Sequence, residues 1–304
     1  MTASVDTSAT AGCQLESGAS NSTEARATLA DQTVGVVGLG LIGGSLAKAL
    51  QVNTTNTVTG FDINPGITKK ALAEGVLDSE LDLSQCDMVL LALYPEATID
   101  YVKNNWDKFK KGAVIVDCAG VKTEICAELS QAATQHDVYF VGGHPMTGIE
   151  RTGYEHSFAH LFSGGTMILC RDQFTNIIAL KAAEMLFSSI GFLKITITNA
   201  ADHDRIIAFT SQLPHVVAGA FMRSETAKQQ LGFSAGSYQD MTRVAHLNEP
   251  MWTELFMANR ENLITEITEL KKHLQEYIAA LENADEQALM TLLSAGKRAK
   301  DLYG

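Results

Sequence analysis

The chain has 304 residues, of which 46% are hydrophobic, and a formal net charge of -12. That length and apolar content suffice for two domains with substantial cores and exclude a wholly disordered chain. The acidic balance excludes a broad nucleic-acid footprint, though a local cationic pocket for an anionic ligand fits within it.

Residues 1–30 are rich in Ser, Thr, Ala and Gly without an apolar signal core, and they read as a flexible lead-in. No apolar run reaches the roughly 18 residues of a membrane span, so no membrane partner is expected. The five cysteines, Cys13, Cys86, Cys118, Cys126 and Cys170, contain no close CxxC pair. They read as reduced thiols of a cytoplasmic protein, and no ordered Cys and His spacing supports a metal.

From Asp31 onward the first strong signal is VGVVGLGLIGGSLAKAL, Val34 to Leu50. An apolar strand, a glycine turn and a small-residue helix follow one another, which is the order that grips a dinucleotide pyrophosphate. Gly38 permits the turn, Gly40 lets the diphosphate approach the backbone, and Gly43 lets the helix sit close to the sheet. The cofactor-binding stretch therefore runs through Gly38, Leu39, Gly40, Leu41, Ile42 and Gly43, with a helix beginning near Leu41 whose free N–H groups favour phosphate. A second apolar run, Val58 to Phe61, ends at Asp62, about 20 residues beyond the glycines. A carboxylate there accepts hydrogen bonds from the adenosine ribose hydroxyls and repels the extra phosphate of NADP, which selects NAD.

Further strand-like runs follow at Met88 to Tyr94, Ala113 to Cys118, Val138 to Gly143 and Thr166 to Cys170. The pattern predicts a doubly wound α/β nucleotide-binding domain over residues 31–199, with its ligand crevice at the strand carboxyl ends. GGHPMTGIE, Gly142 to Glu150, follows one of these strands and sets His144 among turn-forming residues at that crevice. The imidazole could take a hydroxyl proton there, with Gly143 and Gly148 allowing close packing around the ligand. Beyond residue 200 apolar positions recur at helical spacing, over Asp204 to Ser224, Trp252 to Leu270 and on to Glu282. A helical domain is expected over 200–304, with apolar surface suited to a homodimer. Asp202, His203 and Asp204 read as a helix start or domain junction, and the tryptophans Trp106 and Trp252 as packing groups. Arg243, on this domain, has a planar cation able to hold a carboxylate across the interdomain cleft.

Taken in order, GLGLIGGSL, DCAGVKTE, GGHPMTG, HDRIIAFTSQLPHVVA and DMTRVAHLNEPMW resemble the prephenate and arogenate dehydrogenase family of tyrosine biosynthesis over nearly all of residues 31–265. The resemblance implies NAD-dependent oxidation coupled to loss of carbon dioxide, from prephenate to 4-hydroxyphenylpyruvate or from arogenate to tyrosine, with prephenate preferred here. It implies His144 as the catalytic base at the ring hydroxyl and Arg243 as the carboxylate clamp, with His215 and Lys122 as further substrate-pocket candidates, either of which could instead organise a turn or domain contact. Two positions depart from the pattern: Gly120 where a serine is frequent, and Gln212 where a histidine is frequent. Two other readings stay open, an inactive NAD-responsive binding protein on the same scaffold and a 3-hydroxyacid dehydrogenase.

Overall fold

The computed structural model describes residues 31–304, so the expected lead-in over 1–30, with Cys13, lies outside the described residues. An eight-stranded sheet is built from β1 (Thr33–Val37), β2 (Thr57–Phe61), β3 (Ser79–Glu80), β4 (Met88–Leu91), β5 (Val114–Asp117), β6 (Tyr139–Pro145), β7 (Thr166–Cys170) and β8 (Lys194–Thr198). Their spatial order is β3-β2-β1-β4-β5-β6-β7-β8. Strands β1 to β6 are parallel, as crossover helices require, and the chain reverses between β1 and β4. That reversal is the switch point where a ligand crevice opens.

Helices α1 (Leu41–Asn53), α2 (Pro65–Ala73) and α5 (Ile177–Ser189) cover one face, and Leu46, Leu50, Ala71, Leu180 and Phe187 enter the core beneath them. On the other face α3 (Pro95–Lys103) and α4 (Thr123–Gln135) bury Ile99, Val102, Ile125 and Leu129. Strands buried on both sides read as unbroken apolar runs, and MVLL in β4 and VIVD in β5 are wholly buried.

The doubly wound expectation holds as far as β6 and is then modified. Strand β7 runs antiparallel to β6, with His144 opposite Ile168, because residues 146–165 form a loop rather than a crossover helix. Strand β8, which the sequence reading did not separate, returns parallel to β7. A second difference follows: His144 lies on β6 itself, not in the turn after it.

From Ala200 the chain is helical: α6 (Ala200–Ile207), a π-helical turn (Ala208–Gln212), α7 (Leu213–Met222), α8 (Gly236–Thr242), α9 (Glu249–Ala258), α10 (Arg260–Glu282) and α11 (Glu286–Tyr303). The helix expected over Asp204 to Ser224 is interrupted because Pro214 lacks an N–H and its ring crowds the carbonyl four residues back. The one expected over Trp252 to Leu270 breaks at Asn259, whose side-chain amide is committed elsewhere in the core. Among the described residues no helix is long and apolar enough to cross a membrane.

The glycine turn joins β1 to α1. Gly38 has φ +83, its N–H donates to the Phe61 carbonyl at 2.8 Å, and a Cβ on it would lie 2.6 Å from the Ala92 carbonyl. A Cβ on Gly43 would collide with the Gly38 carbonyl. Gly43→Ala is therefore expected to lower stability by about 1–3 kcal/mol through overpacking, measured as a fall in urea midpoint; an unchanged midpoint would contradict this packing.

Candidate active site

Gly40 caps α1 with its backbone alone, and a Cβ there would meet nothing within 4 Å. The turn is thus closed by Gly38 and Gly43 and open at Gly40, where the free N–H groups of the first helical turn face the crevice. Asp62 follows β2 and faces the same turn: its carboxylate accepts from Leu39 N–H and from Asn64 N–H, each at 2.8 Å. The loop and the carboxylate are held in mutual register before any ligand arrives. The fit to a dinucleotide rests on this cradle, since a side chain at Gly40 would fill the space that the pyrophosphate needs.

At the carboxyl end of β6, His144 Nδ1 lies 2.9 Å from His203 Nε2, and His203 Nδ1 lies 2.7 Å from Asp204 Oδ1. Asp204 also accepts the backbone N–H groups of Lys122 and Thr123, both at 2.8 Å. Burial opposes ionisation of Asp204, but the hydrogen bonds from His203 and Thr123 prevail and hold its carboxyl below the usual range. An ionised Asp204 requires the proton of neutral His203 on Nδ1, which leaves His203 Nε2 as an acceptor. His144 must then donate from Nδ1, and its Nε2 keeps a bare lone pair. The segment read as a helix start or domain junction does begin α6, with Asn199 capping Asp202 N–H. His203 and Asp204, however, belong to the site.

Of the two readings of Lys122, substrate pocket or structural contact, the geometry favours the structural one. Its side chain is wholly buried and its ammonium is paired with Asp117, which is also wholly buried. Asp117 further accepts Ala119 N–H at 3.0 Å and Gly143 N–H at 3.2 Å. Gly143 accordingly makes room for Asp117 and Met167 rather than for a ligand, and Gly148 has open space around it. The buried cation nonetheless acts on His144. Burial first, then His203 and Lys122, push the His144 imidazole well below its ordinary range.

The far wall of the cleft is helical. His215 on α7 donates from Nδ1 to the Ser211 carbonyl at 2.8 Å, and its ring lies 3.8 Å from that of Trp252. Trp252 is thus a packing group, as expected, and it packs on the His215 ring. Burial lowers the His215 pKa, and the nearby Arg243 lowers it further. Arg243 itself pairs with Glu150, from the loop after β6. Both partners are solvent-accessible, so a substrate carboxylate can compete with Glu150 for the guanidinium. Gly120 and Gln212, the two departures, meet at one residue. A Cβ on Gly120 would lie 3.1 Å from the Leu255 side chain, and Gln212 donates to the Leu255 carbonyl at 3.2 Å.

A glycine cradle with a facing carboxylate, a half-buried imidazole chain and a helical half that carries an arginine are the features of a two-domain nicotinamide-dependent dehydrogenase. Residues 46–195 match the prephenate dehydrogenase nucleotide-binding domain, and residues 199–295 match the prephenate dehydrogenase dimerization domain. The chain belongs to the prephenate dehydrogenase family. It is 28% identical over 275 residues to a prephenate dehydrogenase of Lactococcus lactis, covering 86% of this chain and 75% of that one. The crystal structure of the A. aeolicus prephenate dehydrogenase with hydroxyphenyl propionate and NAD+ superposes with a TM-score of 0.77 at 26% identity, over 89% of this chain and 98% of that chain. The Synechocystis arogenate dehydrogenase superposes with a TM-score of 0.77 at 25% identity, over 90% and 100%.

The lowered His144 pKa fixes a sign. The free enzyme's kcat/KM should hold as pH falls through 6.5, the ordinary imidazole value, and decline only at more acidic pH. Stability follows the same direction, because the unfolded histidines bind protons that folded His144, His203 and His215 resist; it is intact above 6.5 and lost as pH falls below it. An acid limb of kcat/KM at or above 6.5 would contradict the assignment.

Proposed function

We propose that the protein catalyses NAD-dependent oxidative decarboxylation of prephenate to 4-hydroxyphenylpyruvate. The observation that carries this reading is the His144–His203–Asp204 chain at the carboxyl end of β6, from which it follows that Nε2 of His144 is the free acceptor. NAD, held by Gly38 to Gly43 and Asp62, supplies the hydride acceptor. His144 takes the proton from the ring hydroxyl as the carbinol carbon is oxidised, and the resulting imidazolium is stabilised through His203 by Asp204. The ring carboxylate then leaves as carbon dioxide, its bonding electrons entering the aromatising ring.

Arg243 binds a substrate carboxylate in exchange for Glu150, and His215 adds a donor beside it when protonated. Each proton and charge thus has a named partner. Lys122 serves from behind, holding Asp117 and depressing the basicity of His144, without touching substrate.

A homodimer is part of this proposal. Ile264, Leu274, Ile278 and Leu281 on α10 and Met290 and Leu293 on α11 are more than half exposed, a density of apolar side chains suited to a second copy. A cytoplasmic location accords with the four described cysteines, all free and buried.

A second reading, arogenate as substrate, is favoured by the equal superposition on the Synechocystis enzyme. Parallel assays of NADH and carbon dioxide release decide: release from prephenate supports the proposal, release from arogenate alone moves the substrate, and NAD binding without turnover of either overturns both. His144→Asn is expected to lower kcat about 10²- to 10⁴-fold with NAD affinity unchanged. Arg243→Gln should instead raise the substrate KM about 10- to 100-fold, the worth of a charge-assisted pair. Wild-type turnover in the first variant or wild-type saturation in the second would remove that residue from its role.

A further inference from the structure

The His144 base is held by more than the residues that touch it. Behind Asp204 lies a buried amide chain. Asn259 Nδ2 donates to the Asp204 backbone carbonyl at 2.8 Å and to Gln212 Oε1 at 2.9 Å, while Gln212 Nε2 donates to the Leu255 carbonyl at 3.2 Å. Asn262 donates in turn to Asn259 Oδ1 at 2.8 Å. Gln212 and Asn259 are 1% and 4% exposed, so neither can exchange a lost partner for bulk water.

Gln212 reaches this position because it closes the π-helical turn, which ends just before Leu213 and Pro214 resume the helix. Its two hydrogen bonds join three elements: the α6 segment that carries His203 and Asp204, the end of α9, and the start of α10. The Leu255 side chain, whose carbonyl Gln212 holds, rests against Gly120 in the loop that donates Lys122 N–H and Thr123 N–H to Asp204. Asp204 is thus braced on both sides, through its carboxylate by that loop and through its backbone by the amide chain.

We propose that Gln212 is a positioning residue for the reaction, acting through Asn259 on the Asp204 backbone to keep His203 aligned on His144. This rests on His144 as the base. The amide suits the task because one side chain must donate to Leu255 and accept from Asn259 at once. A neutral imidazole in the same place offers the same pair, and a protonated one does not.

The test compares Gln212→Met, which keeps length and loses both hydrogen bonds, with Gln212→His and Asn259→Ser. Gln212→Met is expected to lower kcat about 10-fold while the substrate KM and NAD affinity stay within twofold of wild type. Gln212→His should recover most of that kcat at pH 8 and lose it, relative to wild type at each pH, as its imidazole protonates; Asp204, His203 and His215 are the titratable neighbours that set where. Asn259→Ser breaks the chain from the other side, and combining it with Gln212→Met should cost no more than either alone.

A readout independent of turnover is the downfield proton resonance of His203 Nδ1–H hydrogen-bonded to Asp204, expected to weaken in Gln212→Met and in Asn259→Ser and to persist in Gln212→His. Wild-type kcat and an unchanged resonance in folded Gln212→Met or Asn259→Ser would overturn the inference. Absence of turnover in the wild type would overturn the functional reading instead, leaving the resonance to decide this one.

Discussion

The site depends on one carboxylate. Asp204 comes from the helical half of the chain, yet it accepts two backbone N–H groups at the start of α4, on the nucleotide-binding half. No side chain of α4 itself caps that helix, so Asp204 satisfies helix-start donors that have no other partner there, one of them buried. The same carboxylate fixes the proton on His203. One group therefore ties the two halves together, keeps its own charge, and sets which nitrogen of His144 faces the cleft.

Electrostatics around the base balance without a free charge. Asp117 and Lys122 neutralise each other beneath β6, and Asp204 is compensated by the N-terminus of α4 and by His203. Both histidines then stay neutral, held so by burial, with Lys122 adding to it. A neutral imidazole with a bare Nε2 is the form a general base requires, and the lowered basicity keeps it in that form through mildly acidic pH. On the opposite wall the charges are exposed and exchangeable. Arg243 and Glu150 pair at an accessible position, so under the proposed function substrate would replace one carboxylate by another rather than desolvate a lone guanidinium.

Features set by short-range sequence were legible before the fold was known. The glycine spacing, the helix start at Leu41 and Asp62 at the end of β2 follow from local backbone geometry and a fixed offset, and the structure brings them together as expected. His144 stands out from its strand and glycine context, although it sits on the strand rather than beyond it. Long-range pairing was not legible. Lys122 in VKTE has the appearance of a free cation, and only the topology shows that β5 turns Asp117 onto it. The DHD run reads as a helix start or domain junction, and Asp204 does join the two halves, but the run carries no sign of the contact to His144. The adjacency of His203 to a residue 59 positions earlier needs β6 and α6 side by side. A usable signal was present: His203 and Asp204 open the HDRIIAF block, and an acidic residue next to a histidine is a common means of fixing a tautomer. The antiparallel β7 escaped for a similar reason, since a five-residue apolar run carries no direction.

The central claim is that Asp204, through His203, leaves Nε2 of His144 unprotonated and facing the cleft. Nitrogen-15 NMR of the histidine rings, in protein labelled at imidazole nitrogen and held at pH 7, reads this directly. The expected spectrum shows His203 protonated on Nδ1 alone and His144 protonated on Nδ1 with Nε2 bare. A proton on His144 Nε2, whether in the other neutral tautomer or in the imidazolium, would contradict that claim.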